Sequence, residues 1–167
     1  MTAARPARRG LAPRVLESWW APGRVVAGLR GMPEGAMTAI LLAAMAIFLI
    51  AQAPGHARAA ELDPSVPLAA RISWAVVAVL FLMPLFAYGL AALVALVSRL
   101  TPRLVDGADS RLALFWALLA VAPAMLLSGL VAGLVGPSPA LALTQALAGL
   151  GFLFIWGGGL RALAAQA

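Results

Sequence analysis

The side chains able to do chemistry are few and poorly placed for it. The 167-residue chain has one histidine, no cysteine, six carboxylates and twelve basic residues, all of them arginine. His56 falls in a loop near Glu61 and Asp63, but a metal centre normally takes three or four ligands, and a lone loop histidine is a poor start. Ser128, followed by Gly129, is placed as an intramembrane serine nucleophile would be. Such a serine needs a base beside it, and no histidine lies within an apolar helix. Carboxylates inside membrane helices mark proton and ion pathways. Here Glu17, Glu34, Glu61, Asp63, Asp106 and Asp109 all sit in the leader or in connections between apolar runs. A chain without cysteine can build neither a disulfide framework nor a thiolate site. Catalysis, a cofactor and a bound metal are therefore not expected, and the remaining polar chemistry is that of arginine.

The elements that must carry these residues are apolar. Hydrophobic residues make up 63% of the chain and charged residues 11%, against about 45–50% and roughly a quarter in soluble domains. Four apolar segments stand out, at about 36–53, 68–97, 112–135 and 141–160. A helix rises about 1.5 Å per residue and the hydrocarbon core is about 30 Å thick, so each is long enough for one span. The second is the awkward one. "RISWAVVAVLFLMPLFAYGLAALVALVSRL", residues 71–100, has no charge between its terminal arginines and a proline in the middle. Its helix would be about 45 Å long, too short for two spans and too long for one upright span. The expectation is one long helix kinked at Pro84, which lacks an amide donor and clashes with the carbonyl of Leu80, with the turns from Val94 to Arg99 outside the core.

Arginine placement sets the expected orientation. Arg5, Arg8, Arg9, Arg14, Arg24 and Arg30 precede the first span, Arg99, Arg103 and Arg111 lie between the second and third, and Arg161 follows the fourth. Only Arg58 and Arg71 fall on the other side. The positive-inside rule then puts both termini in the cytoplasm. The exclusive use of arginine, with much alanine and glycine, points to a bacterial chain of high-GC origin and hence to the inner membrane. "GHARAAEL" contains a small-residue pattern typical of signal cleavage, but the leader before the first span is some 35 residues and the apolar run exceeds a signal core. The first helix is expected to be retained.

Residues 1–35 form a basic leader. From Pro22 to Met32 a short helix would set Val25, Val26, Leu29 and Met32 on one face, which suits an interfacial helix on an anionic leaflet. Trp19 and Trp20 would lie at headgroup depth. Arginine clusters also bind nucleic acid, but the interleaved apolar residues beside a span favour lipid. The contact residues so expected are Arg5, Arg8, Arg9, Arg14, Trp19, Trp20, Arg24, Arg30, Arg99 and Arg103. Packing is expected from Pro84, Pro123 and the Gly129/Gly133 step, with Gly149, Gly151 and the triplet Gly157, Gly158 and Gly159 thinning the last span so that backbones can approach.

The stretches "WAPGRVVAGL", "LFAYGLAALVALVSRL", "RLALFWALLAVAPAMLLSGLVAGLVG" and "FLFIWGGGLRAL", in that order, resemble the Yip (Ypt-interacting protein) domain, in particular its alphaproteobacterial branch. The resemblance covers roughly residues 14–163 and rests on Arg111 entering the third span, Pro123 within it, and Trp156 before the glycine triplet. Family members usually have five spans; this chain reaches Ala167 after four. The resemblance implies a non-enzymatic protein of membrane organisation that works through protein partners. Eukaryotic relatives engage small GTPases, and no residue role carries over.

The fold expected is an all-α, polytopic transmembrane bundle of four spans with a short interfacial N-terminal helix. Two functions follow. One is a scaffold or accessory subunit contacting lipid headgroups and a membrane-protein partner or a second copy. The other is a small transporter or channel with a cavity near Pro84, Tyr88 and Pro123, which would require hydrated polar groups at mid-membrane and repeat symmetry. The sequence has few of the former and no evident repeat.

Overall fold

The computed structural model describes residues 10–100 and 104–165, all helix and connection, with no strand among them. Two short helices, α1 (Leu11–Glu17) and α2 (Pro22–Ala27), precede the long α3 (Glu34–Leu62). The second span is one continuous helical run, Leu68–Ser98. It is made of α4 (Leu68–Val76), a π segment (Val77–Leu82) and α5 (Met83–Ser98). Then come α6 (Gly107–Ala120), α7 (Ala122–Leu134) and α8 (Pro139–Ala164). Three of these runs are long and apolar enough to cross a membrane, and α6 with α7 makes a fourth, bent by 41° at its break. The architecture is that of a multi-pass membrane protein.

Local chemistry explains most of the boundaries. Glu34 opens α3, where a carboxylate complements the positive helix end. Ser138 caps α8 by accepting the Leu141 amide at 3.2 Å, with Pro139 in the first turn. After α7, Gly136 takes φ +80° and its amide donates back to the Val131 carbonyl at 3.1 Å, a left-handed stop that suits glycine. Helix α3 passes through Pro54 and ends nine residues beyond the expected 53.

The prolines of the second and third spans act differently. At Pro84, where a kink is expected, a π segment lies just upstream. There the Met83 amide donates to the carbonyl of Ala78, five residues back, so the hydrogen-bond ladder widens where proline would have interrupted it. The third span, predicted as a single helix over 112–135, is two helices meeting at Val121. Pro123 is the cause: it has no amide to donate to Leu119 and its ring crowds that carbonyl.

Helix α6 is the centre of the bundle, with residues 112–117 and 119–121 buried. Against α6 and α7 helix α3 turns a stripe of Met37, Ile40, Leu41, Ala44, Met45, Phe48 and Ala51, the three-and-four spacing of one helix face. Alternating direction brings the start of α3, the end of α5, the start of α6 and the end of α8 to one end of the bundle, the end at which Arg30 also lies. Ion pairs Arg30–Asp109 at 2.8 Å and Arg111–Glu34 at 3.0 Å tie that basic end together, and the Ser110 hydroxyl donates to the Ala91 carbonyl at 2.8 Å.

Candidate functional site

From Ser18 to Leu29 the leader is built into the bundle. Helices α1 and α2 form an antiparallel hairpin, with Arg24 beside Glu17 at 3.5 Å and Arg14 facing the same small cleft as Gly28. Val25, Val26 and Leu29, the face expected to meet lipid, are buried in protein. Glycines on α8 make the room. A Cβ on Gly158 would stand 2.6 Å from the ring of Pro22, one on Gly159 would meet Val26 at 3.1 Å, and one on Gly151 would strike the Trp19 indole at 2.6 Å. The hairpin tip reaches Ala120, about 16 Å along α6 from Asp109, which is close to half the thickness of a hydrocarbon core.

Polar groups at the tip are satisfied in series. The Trp19 indole N–H donates to the Ala120 carbonyl at 3.1 Å, one of the acceptors that a helix end leaves without an intrahelical donor. The Trp116 indole donates to the Ser18 hydroxyl at 2.9 Å, and that hydroxyl donates to the Arg14 carbonyl at 2.8 Å. Apolar packing alone gives little preference for protein over lipid. These hydrogen bonds do, because each group would otherwise be unpaired in hydrocarbon at about 1–3 kcal/mol. Trp19 is thus held against α6 and α8, whereas Trp20 is 68% exposed.

On the other side of α6 the bundle stays open. Helix α5 packs on α6 and α3, α8 packs on α6 and α7, and the backbones of α5 and α8 stay more than 8 Å apart. Between them lies a cleft of about 700 Å³. Its walls are Phe86 and Leu90 of α5, Leu114 and Leu118 of α6, and Gly149 and Phe152 of α8. Polar side chains gather towards the end remote from Arg30: Gln52 and His56 of α3, Ser128 of α7 and Gln145 of α8. The Gln52 amide donates to the Phe48 carbonyl at 3.2 Å, and His56 Nε2 is buried with no hydrogen-bond partner.

The cleft lies beside the residues named for the transporter reading, with Met83, Ala87, Val121 and Met125 in its lining. Tyr88 is held by a 2.8 Å hydrogen bond with Thr38 and by an edge-on contact with Phe115 at 5.0 Å, Pro123 is exposed, and neither they nor Pro84 line the space. Gly129 and Gly133 lie where α7 crosses α3. A Cβ on either would run into α3, at the Ala51 carbonyl and the Pro54 ring respectively. Among the expected contact arginines, Arg24, Arg30 and Arg99 are exposed and Arg14 half-buried. Arg5, Arg8, Arg9 and Arg103 lie outside the described residues. His56, Glu61 and Asp63 do not assemble into a metal-holding group among the described residues.

No family model, curated protein or solved structure matches this chain.

Three features escaped sequence reasoning: the Trp19–Ala120 bond, the Ser18–Trp116 pair and the role of His56 as a cleft residue. The glycines of α8 were the available signal for the first two, since a stripe of missing side chains implies something packed on it. Nothing in the sequence marked α5 and α8 as separated.

Proposed function

We propose that this chain is a non-enzymatic integral membrane protein of the Yip type, a scaffold or accessory subunit that works through lipid and protein contacts at a bacterial inner membrane. The observation supporting this most is the bilayer-facing cleft between the second and fourth spans, with walls of Leu, Phe, Ala and Gly suited to an apolar guest rather than to a hydrated solute. A basic end complements it. Arg24, Arg99 and Arg161 are exposed there, and anionic headgroups or an acidic partner segment would be drawn to them by about 1 kcal/mol for each arginine near the surface. With both termini on the cytoplasmic side, that end faces the anionic inner leaflet. The residue order that resembles the Yip domain supports the same reading.

The test is reconstitution of the full chain in nanodiscs of mixed anionic and zwitterionic phospholipid, with retained lipid measured by native mass spectrometry. Anionic lipid should be enriched on the wild type, and the triple variant Arg24→Gln/Arg99→Gln/Arg161→Gln should lose that enrichment. Equal retention by both proteins, or solute flux through proteoliposomes that depends on the protein, would refute the proposal.

A further inference from the structure

The cleft between α5 and α8 is larger than the space a packed bundle leaves by accident, since native interiors hold few voids bigger than a water molecule. Its size and shape discriminate between occupants. A transmembrane helix is about 10 Å across and rises about 5.4 Å per turn, so a single turn fills some 400 Å³. A cleft of about 700 Å³ therefore holds less than two turns of such a helix within it. A flexible chain fits it better. The lining runs from Leu114, about 10 Å along α6 from its start, to His56, about 33 Å along α3 from its start. That length of about 20 Å compares with about 15 Å for one leaflet of hydrocarbon. It covers what a single acyl chain occupies.

The polar groups are all towards one end of this length. Gln52, His56, Ser128 and Gln145 lie on the cleft wall there, and of these Gln145 is exposed. The lining holds no carboxylate and no arginine, so it offers nothing specific to a charged headgroup. It does offer donors to an uncharged acceptor. In a bilayer the acceptor at the top of every acyl chain is its ester carbonyl.

We infer that the cleft is a binding site for one acyl chain of a glycerolipid from the leaflet remote from the basic end, with the chain along Phe86, Leu90, Leu118 and Phe152 and its ester carbonyl at the polar end, accepting a hydrogen bond from the exposed Gln145 amide. The site selects the ester and the chain and is indifferent to the headgroup. It rests on the accessory reading only in that both place the protein in a bilayer, and the headgroup enrichment at the arginines is a separate measurement.

The experiment uses the full chain in nanodiscs doped with a phosphatidylcholine probe carrying a diazirine midway along one acyl chain, with adducts mapped by mass spectrometry. Adducts should concentrate on Phe86, Leu90 and Phe152 over Leu130, Leu134 and Leu143, which are exposed elsewhere on the bundle. Gly149 lines the cleft and a Cβ there meets nothing within 4 Å, so Gly149→Phe has room to begin a side chain and should cut cleft labelling at least about tenfold. Gly149→Ala, with the same backbone change and little added volume, should keep it. A diether probe without ester carbonyls should label the cleft several-fold less than the diester probe in wild type, and that difference should disappear in Gln145→Leu. Labelling that is uniform around the bundle, or unchanged in Gly149→Phe, would overturn the proposal. So would diester and diether probes labelling equally, or a dimer in which Phe86 and Leu90 cross-link to a second copy. Phosphatidylglycerol and phosphatidylcholine probes should label the cleft equally; headgroup dependence there would also overturn it, while leaving the arginine reading untouched.

Discussion

Gly129→Ala is the most demanding single substitution the structure offers. An added Cβ at Gly129 would overlap the Ala51 carbonyl oxygen, which belongs to the backbone of α3 and cannot rotate away. Contacts of a Cβ closer than 3.0 Å are essentially never seen, so α7 and α3 must part by more than 1 Å at their crossing. A gap of 0.5–1 Å already forfeits about a quarter to a half of a contact's dispersion energy, and over-packed sites cost about 1–3 kcal/mol, occasionally more. Gly133 sits one turn on, against Pro54, so the same displacement would loosen that contact too. We expect a loss of about 3 kcal/mol in Gly129→Ala. Gly149→Ala is the control, since an alanine there meets open space and a helix-interior glycine is worth about 0.5–1 kcal/mol less than alanine. Steric-trap unfolding in bicelles measures both. Equal stability of the two variants would show that α7 and α3 do not cross at Gly129 and would refute the packing argument.

Asp109→Asn should cost about 1–3 kcal/mol, between the value for a fully buried pair and that for an exposed one, because the Asp109 side chain is 10% exposed and that of Arg30 35%; a double-mutant cycle with Arg30→Gln checks it, and a coupling below about 0.5 kcal/mol would mean the pair is not formed. Gly151→Leu should push Trp19 out of its seat on α8 and lower hydrogen-exchange protection of α2 while that of α3 holds; unchanged protection of α2 would contradict the docked hairpin. The Asp63 carboxyl is held below its ordinary value of 3.8 by hydrogen bonds from the Ser65 hydroxyl and amide, and further by Arg71. Its stabilisation of the connection between α3 and α4 is thus present above that pH and lost as pH falls through the lowered folded value. The Ser65 amide shift in NMR should titrate below 3.8 in wild type, and in Ser65→Ala the corresponding amide should titrate closer to it.

How far this could be read from sequence depends on which physical term decides each feature. Spans are decided by apolar length, and Leu68–Ser98 and Pro139–Ala164 lie within a few residues of the runs read from hydropathy. Prolines are visible, yet their consequences are not fixed by their presence. Pro54 passes inside α3, Pro84 follows a π segment and Pro123 follows a break, because the outcome depends on which neighbouring group takes up the displaced carbonyls. The leader is the instructive error. Val25, Val26 and Leu29 make an apolar face that serves equally against lipid tails or protein, so amphipathicity could not choose between them. The choice lies in shape: Gly151, Gly158 and Gly159 leave a groove on α8 that fits Trp19, Pro22 and Val26.

The cleft and the docked hairpin have a common origin in the break at Val121. A span bent by 41° cannot keep both neighbours aligned along its whole length, since ridge-into-groove packing holds only over a narrow range of crossing angles. Near the basic end, α6 runs beside α8 with the α1–α2 hairpin against both, so the leader occupies space that another span would fill in a regular bundle. Beyond the break, α7 departs with α3 and remains against α8, while α5 follows α6 and α3. The two outer spans therefore separate, leaving the cleft between them. A straightened third span would close the cleft and remove the Ala120 carbonyl from the reach of Trp19 in one step. Pro123→Ala, which restores the missing amide donor, is expected to reduce both Gly149-sensitive lipid labelling and hydrogen-exchange protection of α2. Loss of one without the other would separate the two features and show that the bend does not link them.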